Sequence, residues 1–258
     1  MAKKIAVAIH KGGVGKTTTA KNLAAALALT GKRTLLVDLD EQANATKGLG
    51  FKPDELSLTV NDLFARSDVE PLGVILRTKV EGFHLLPAHP DLAKTQAGMA
   101  YQRATDPDAD PRTILRDILN PLEAAYDYII FDTPPAMDYL TLNALAAADE
   151  LLIPAAASAY SEDGVLRTWE AYERAVQTYN PRLRRPRILI TKVKPTLAAG
   201  NVLEGITEEY LDAVIDQLIP ESTRVDRAEQ LRMTVIVYDP NDKAALAYKR
   251  VAELLIHD

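Results

Sequence analysis

The chain of 258 residues contains no cysteine. Disulfides, thiolate metal sites and cysteine-held iron–sulfur clusters are therefore excluded by chemistry. It also lacks an apolar run long enough to cross a bilayer, because the stretch 142–157 is broken by Asp149 and Glu150. Met-Ala-Lys-Lys leads straight into a strand pattern rather than a signal peptide, so a cytoplasmic protein is expected. Positive charge is not in excess: the formal net charge is −6, and any nucleic-acid binding must come from a local basic patch. No helix-turn-helix pattern precedes the first strand, so binding to a specific operator sequence is not expected.

Apolar residues make up 47% of the chain, enough for one large α/β domain over residues 1–258. The patterns predict strands at 5–9, 33–38, 83–87, 128–131, 150–154 and 187–191. Helices are expected at 20–29, 59–65, 92–101, 112–125, 139–147, 161–179, 201–214, 225–231 and 243–256. Residues 215–219 read as a strand or extended piece and 235–237 as a last extended piece. Short strands alternating with longer helices, without an internal repeat, predict a mostly parallel sheet with helices on both faces. Ligands of such a sheet sit at the carboxyl ends of the strands. The loops after Ile9, Asp38, Phe131 and Ile190 should therefore share one edge of the molecule.

Three of these loops carry chemistry. The run His10-Lys11-Gly12-Gly13-Val14-Gly15-Lys16-Thr17-Thr18 joins the first strand to an alanine-rich helix. A glycine loop at that junction turns backbone N–H groups around a phosphate, and the helix adds its positive N-terminal end. Lys16 can reach the β- and γ-phosphates and the Thr17 hydroxyl can hold Mg²⁺. The pattern departs from the strict phosphate loop: His10 fills the opening glycine position, and a second lysine, Lys11, stands at the mouth. Asp132, ending an apolar strand, is placed like the Walker B carboxylate that binds Mg²⁺ directly or through water. Asp38 and Asp40, two apart at another strand end, add carboxylates near the same ion and the γ-phosphate. Cradle, divalent ion and water-orienting group are what phosphoryl transfer from a nucleotide needs.

Other features have plainer readings. The aspartates within 105–111 sit among prolines and read as turn and cap residues. Trp169 shares a helix face with Leu166 and Tyr172, which points to core or dimer packing. His10 has no identifiable partner and reads as a tolerated loop residue.

Lys-Gly-Gly-Val-Gly-Lys-Thr-Thr at 11–18, Asp-Leu-Asp-Glu-Gln-Ala-Asn at 38–44 and Ile-Ile-Phe-Asp-Thr-Pro-Pro at 129–135 resemble the three motifs of the ParA/MinD ATPases with a deviant Walker A loop. The resemblance continues through 140–145, 152–154, 219–220 and 238–248, weakens between 45 and 120, and is greatest to ParA (Soj-type) partition proteins. It implies a P-loop fold and a slow ATPase using ATP and Mg²⁺. It implies that Gly12, Gly13, Val14, Gly15, Lys16, Thr17 and Thr18 bind the nucleotide and that Thr17 and Asp132 are metal ligands; Asp38, at another strand end, is expected as a third metal ligand. Lys11 matches the signature lysine that crosses a nucleotide-sandwich homodimer, and Asp40 the switch aspartate tied to hydrolysis. The family binds DNA non-specifically as the ATP dimer, on the nucleoid, and a ParB-like or other cargo adaptor stimulates hydrolysis. Arg224 falls where the family carries a DNA-binding residue, and Arg227, Arg232, Lys192 and Lys194 are neighbouring candidates. Arg184-Arg185-Pro186-Arg187 is a denser basic cluster at a strand entrance.

Two departures bear on function. Glu41 stands where proline is usual, and Glu221 where a basic residue is common. Other readings are a ParA-like ATPase moving a non-DNA cargo, a MinD-like membrane-cycling ATPase and a small-acceptor phosphotransferase or ligase. The MinD-like reading is opposed by the short acidic end of the chain, 251–258, which is no basic amphipathic anchor. An electron-transfer ATPase of the nitrogenase iron-protein type would need cysteines for its cluster.

Overall fold

The architecture was analysed in a computed structural model describing residues 1–106, 108–158 and 161–257, with the backbone alone at 197–199. Pro107, inside the expected 105–111 turn, and Asp258 lie outside the described residues. In chain order the elements are β1 (Lys3–Val7), α1 (Lys16–Leu29), β2 (Thr34–Asp38), α2 (Asn44–Gly48), α3 (Val60–Ala65), α4 (Pro71–Val74), β3 (Leu76–Arg77) and β4 (Phe83–Leu86). Then follow α5 (Leu92–Thr105), α6 (Ile114–Leu119), β5 (Tyr128–Asp132), α7 (Tyr139–Ala147), β6 (Glu150–Ala156), α8 (Ser161–Thr178) and β7 (Arg187–Thr191). The chain closes with α9 (Leu197–Tyr210), α10 (Thr223–Gln230), α11 (Val235–Tyr238) and α12 (Lys243–His257).

The strands form one sheet in the order β3-β4-β2-β5-β1-β6-β7, parallel throughout except for the two-residue β3 against β4. Alternation along each strand assigns its two faces. Ile5, Val7, Leu36, Ile130, Leu152 and Leu189 point into a core shared with α1, α10, α11 and α12. Ala6, Leu35, Val37, Phe131, Ile153 and Ile190 point into the opposite core, under α3 and α5–α9. The central strands are thus buried on both sides, which is why they read as near-continuous apolar runs.

The register sets the functional edge. Val7 lies opposite Asp132, and Asp132 opposite Asp38, so the ends of β1, β5 and β2 are level. A parallel sheet with helical crossovers leaves these ends open to loops.

Several boundaries differ from expectation. The first strand is Lys3–Val7 rather than 5–9, because Lys3 and Lys4 join the ladder with Tyr128 and Ile129 while their ammonium groups reach Glu150 and Glu123. The 112–125 helix stops at Leu119 and tightens into a 3₁₀ turn, Asn120–Leu122, since Pro121 has no N–H to continue it. Residues 235–237, expected extended, begin the short helix α11, where the buried Val235 N–H donates to Asn22 Oδ1 on α1. Residues 215–219 are extended alongside β7, with Ile215 N–H donating to Ile188 O and Ile219 N–H to Ile190 O.

Candidate active site

The loop between β1 and α1 is shaped by glycine. Gly13 and Gly15 have φ of 74° and 91°, where a side chain would be strained, and Gly15 caps the N-terminus of α1. The amide edge of the loop is held from behind: Thr191 Oγ1 donates to Val14 O at 2.9 Å and Lys192 Nζ to Gly13 O at 2.7 Å. Lys16 folds back over the loop and donates to Lys11 O at 2.7 Å. Lys11 Nζ lies 3.3 Å from Ser161 Oγ at the start of α8. No Cβ would fit comfortably at Gly164 one turn later, where it would meet Ile9 and the Lys11 side chain at 3.3 Å.

Asp132 and Asp40 act on Lys16, and Asp38 lies beside them. Asp132 is fully buried, and neither of its oxygens has a hydrogen-bond partner. Burial, reinforced by the neighbouring Asp38 charge, pushes its carboxyl well above the ordinary range; the Thr17 hydroxyl and the Lys16 ammonium pull the other way. Asp38 is also fully buried, and burial raises it to about 6, against hydrogen bonds from Thr46 and Asp40. Burial lowers Lys16 from its usual value, while Asp132 and Asp40 draw it back up. A buried carboxylate with no donor beside a threonine hydroxyl is an unfinished arrangement that a cation completes.

Asp38 differs from Asp132. Its Oδ2 accepts from Thr46 N–H at 2.8 Å and from Thr46 Oγ1 at 2.7 Å, and its Oδ1 accepts from Asp40 N–H at 3.2 Å. It therefore holds the loop from β2 into α2 in shape, while Asp132 is left open. Asp40, also buried, accepts from Gln42 N–H at 2.9 Å in a tight turn that leaves Ala43 at φ 51°. Glu41, in place of the usual proline, is accommodated half-buried within this turn. No group of three or more histidine, aspartate or glutamate ligands that could hold a metal converges among the described residues. A divalent ion here would lean on Thr17, one or two carboxylates, water and phosphate oxygens, which is the habit of Mg²⁺.

The expected DNA-binding residues lie on and around α10 and on the loop after β7. All five are exposed. Arg224 pairs with Asp239 at 3.5 Å, Arg227 donates to Gln230 at 3.0 Å, and Lys194 pairs with Glu221 at 3.2 Å. Arg232, at φ 55°, follows α10. Lys192, though exposed, also donates from its ammonium to Gly13 O of the glycine loop. Of the denser cluster, Arg184 and Arg187 pair with the buried Glu150 at the opposite edge of the sheet, and Arg185 lies over the Trp169 ring. Trp169 itself packs against Tyr172 and Tyr210.

Reading by motif passed over a cavity of about 130 Å³ beside the loop, lined by Gly15, Thr18, Thr191, Pro220, Ser222 and Glu229 among others. The only sequence signal for it was position, since Thr191 and Pro220 end extended segments on the functional edge.

Comparison with known proteins agrees with this geometry. Residues 2–185 match the family model described as an AAA domain. The chromosome-partitioning ATPase Soj of Thermus thermophilus is 40% identical over 97% of this chain and 94% of its own. The chain belongs to the ParA/Soj family of P-loop ATPases. Its similarity to the Bacillus subtilis sporulation initiation inhibitor protein Soj is 34% identity over 98% of each chain. A solved structure named as cobyrinic acid a,c-diamide synthase from Mycobacterium smegmatis, with bound ADP and magnesium, superimposes with a TM-score of 0.85 at 32% identity, covering all of this chain and 95% of that one. For this ParA/Soj-type ATPase, the orphaned Asp132, the Thr17 hydroxyl and the glycine cradle fit a magnesium nucleotide.

Proposed function

We propose that this ATPase is a DNA-partitioning or positioning protein whose ATP-bound homodimer binds DNA without sequence preference. The observation that carries the reading is the doubled lysine of the glycine loop. Lys16 is folded inward onto Lys11 O, and Lys11, whose ammonium lies beside Ser161, is the second lysine that a partner's phosphates would engage. ATP then joins two protomers, Lys11 of each touching the phosphates held by the other. The whole of 1–258 acts as one ATPase domain, cytoplasmic and associated with the nucleoid.

Hydrolysis transfers the γ-phosphoryl group to water. The γ-phosphorus–oxygen bond to ADP breaks as the bond from water forms, giving ADP and phosphate. Mg²⁺ supplies charge neutralisation at the phosphates when bound. Lys16 and the loop N–H groups stabilise the phosphate oxygens, and Asp40 orients the attacking water and draws on its proton. An aspartate is a weak base, so intrinsic turnover is slow and a ParB-like or other cargo adaptor accelerates it. Arg224, Arg227, Arg232 and Lys194 are the DNA-facing candidates, and pairing with Asp239 and Glu221 tempers two of them.

The test is an electrophoretic shift with ATP, with ADP and without nucleotide, at two salt concentrations, for the wild type and Arg224→Glu. Retention with ATP alone, weakening with salt and indifferent to DNA sequence, is expected, with loss in the variant while ATP dimers persist. Retention independent of nucleotide, or absent throughout, would overturn the reading. A second reading follows from the named synthase at 32% identity: ATP-dependent modification of a small acceptor. Turnover that requires such an acceptor and ignores DNA would favour it. A ParA-like ATPase moving a non-DNA cargo would still show the ATP-dependent shift. A MinD-like cycle would show instead as nucleotide-dependent binding to liposomes, although no helix of the described residues is long and apolar enough to cross a membrane.

A further inference from the structure

A lysine that serves no phosphate lies completely buried behind the nucleotide loop. Lys21, one turn into α1, has no exposed surface, and its Nζ sits 2.6 Å from Glu229 Oε2 on α10. Glu229 is half-exposed, and its other oxygen accepts from the Thr18 hydroxyl at 3.3 Å. The third wall is α2. A Cβ at Gly48 would fall on the Lys21 ammonium and lie 3.3 Å from Glu229 Oε2, so a larger residue there would push the ammonium off its present position. Two residues earlier, Thr46 is the double donor to Asp38. The loop holding Asp38 and Asp40, the nucleotide-loop helix and α10 therefore meet on one ion pair.

A buried ammonium is costly in stability unless it is paired, and an apolar side chain of similar length would serve packing as well or better. The pair therefore specifies geometry rather than adding to the core. We propose that Glu229, anchored by Lys21, is a positioning residue that ties α10 to the nucleotide site. Nucleotide and metal bound at Thr17, Thr18 and Asp132 fix the start of α1 and the Asp38 loop, and through this junction they fix the register and exposure of α10. The helix so positioned carries Arg224 and Arg227 and leads into Arg232. The inference rests on the nucleotide-binding reading of the site, and for its consequence on the DNA reading of α10.

The test is amide hydrogen exchange of the full chain with and without Mg²⁺ and a non-hydrolysable ATP analogue, comparing the amides of 16–29 with those of 223–230. In the wild type both segments should slow about fivefold or more with nucleotide, the range of ordinary coupling. In Lys21→Met the unbranched side chain fills the buried channel, and the Val235–Asn22 hydrogen bond still attaches α11 to α1. Slowing should persist in 16–29 and fall below about twofold in 223–230. Should Lys21→Met not melt cooperatively, Lys21→Met/Glu229→Gln, with neither charge left, is read the same way. Slowing of 223–230 retained in the variant, or absent in the wild type, overturns the proposal. Failure of both variants to fold overturns it too, since the pair would then be scaffold. Wild-type 16–29 is scored first: no slowing there overturns the nucleotide reading together with the coupling. DNA is absent from the experiment, so a wild type that never shifts DNA would refute the role of α10 and leave the coupling standing.

Discussion

Replacing Asp132 by asparagine should stabilise the nucleotide-free protein and weaken its response to magnesium nucleotide. In the wild type the carboxylate is fully buried with both oxygens unpartnered, beside the equally buried Asp38. An unsatisfied buried polar group costs about 1–3 kcal/mol, and more when charged. In a chain of this length 1 kcal/mol moves the melting temperature by about 2–4 °C, so Asp132→Asn should melt about 2–12 °C higher without ligand near pH 8. The pH dependence follows from the raised carboxyl. At a pH below the unfolded value of about 3.9, Asp132 is protonated in both states and the two proteins should melt alike. As pH rises past that value the unfolded chain releases a proton that the folded chain keeps. Wild-type stability then falls relative to the variant until pH passes the raised folded value. With Mg²⁺ and nucleotide at about 100 times Kd, the wild type gains about 2.7 kcal/mol. The variant should gain less than about half of that. Calorimetry or thermal fluorescence across about pH 3–8 reads all three effects. A variant that melts at or below the wild type at pH 8, or that keeps the full ligand shift, refutes the argument.

Lys11→Ala should weaken ATP-dependent dimerisation about 30-fold or more, the cost of one buried charge contact across an interface, and sedimentation velocity with ATP would show monomer. Asp40→Ala should leave nucleotide affinity near that of the wild type while steady-state phosphate release falls about 100-fold or more; unchanged release would remove Asp40 from the water-orienting role. Glu150→Ala strips the shared partner from Lys3, Arg184 and Arg187. It should lower the melting temperature by about 6–20 °C with nucleotide affinity intact, because the cluster lies at the opposite edge of the sheet.

Motifs and periodicity went far here because chemistry and backbone geometry coincide at the loop. Gly13 and Gly15 occupy left-handed conformations that the run of glycines announces. Asp132 was legible because it ends a strand buried on both faces. Burial also explains why the second strand could be read but not β3, two residues paired antiparallel with β4 at the edge of the sheet and with no periodicity to detect. Residues 235–237 illustrate the converse: Val-Ile-Val favours a strand locally, yet docking onto Asn22 of α1 turns the segment into a helical turn.

By itself the sequence determined the alternation of strands and helices, the nucleotide loop and the acids that end β2 and β5, because each is set by neighbours close along the chain. Tertiary structure decided how those acids divide their work. Asp38 is consumed by Thr46 and Asp40, while Asp132 has no donor, and that difference depends on which loop packs over each strand end. It likewise tied the exposed Lys192 to the nucleotide loop through Gly13 O, and it brought Lys21, Gly48 and Glu229 together from three helices. Contacts between residues about 200 positions apart leave no local pattern, since only the closing of α10 over α1 gives them a common environment.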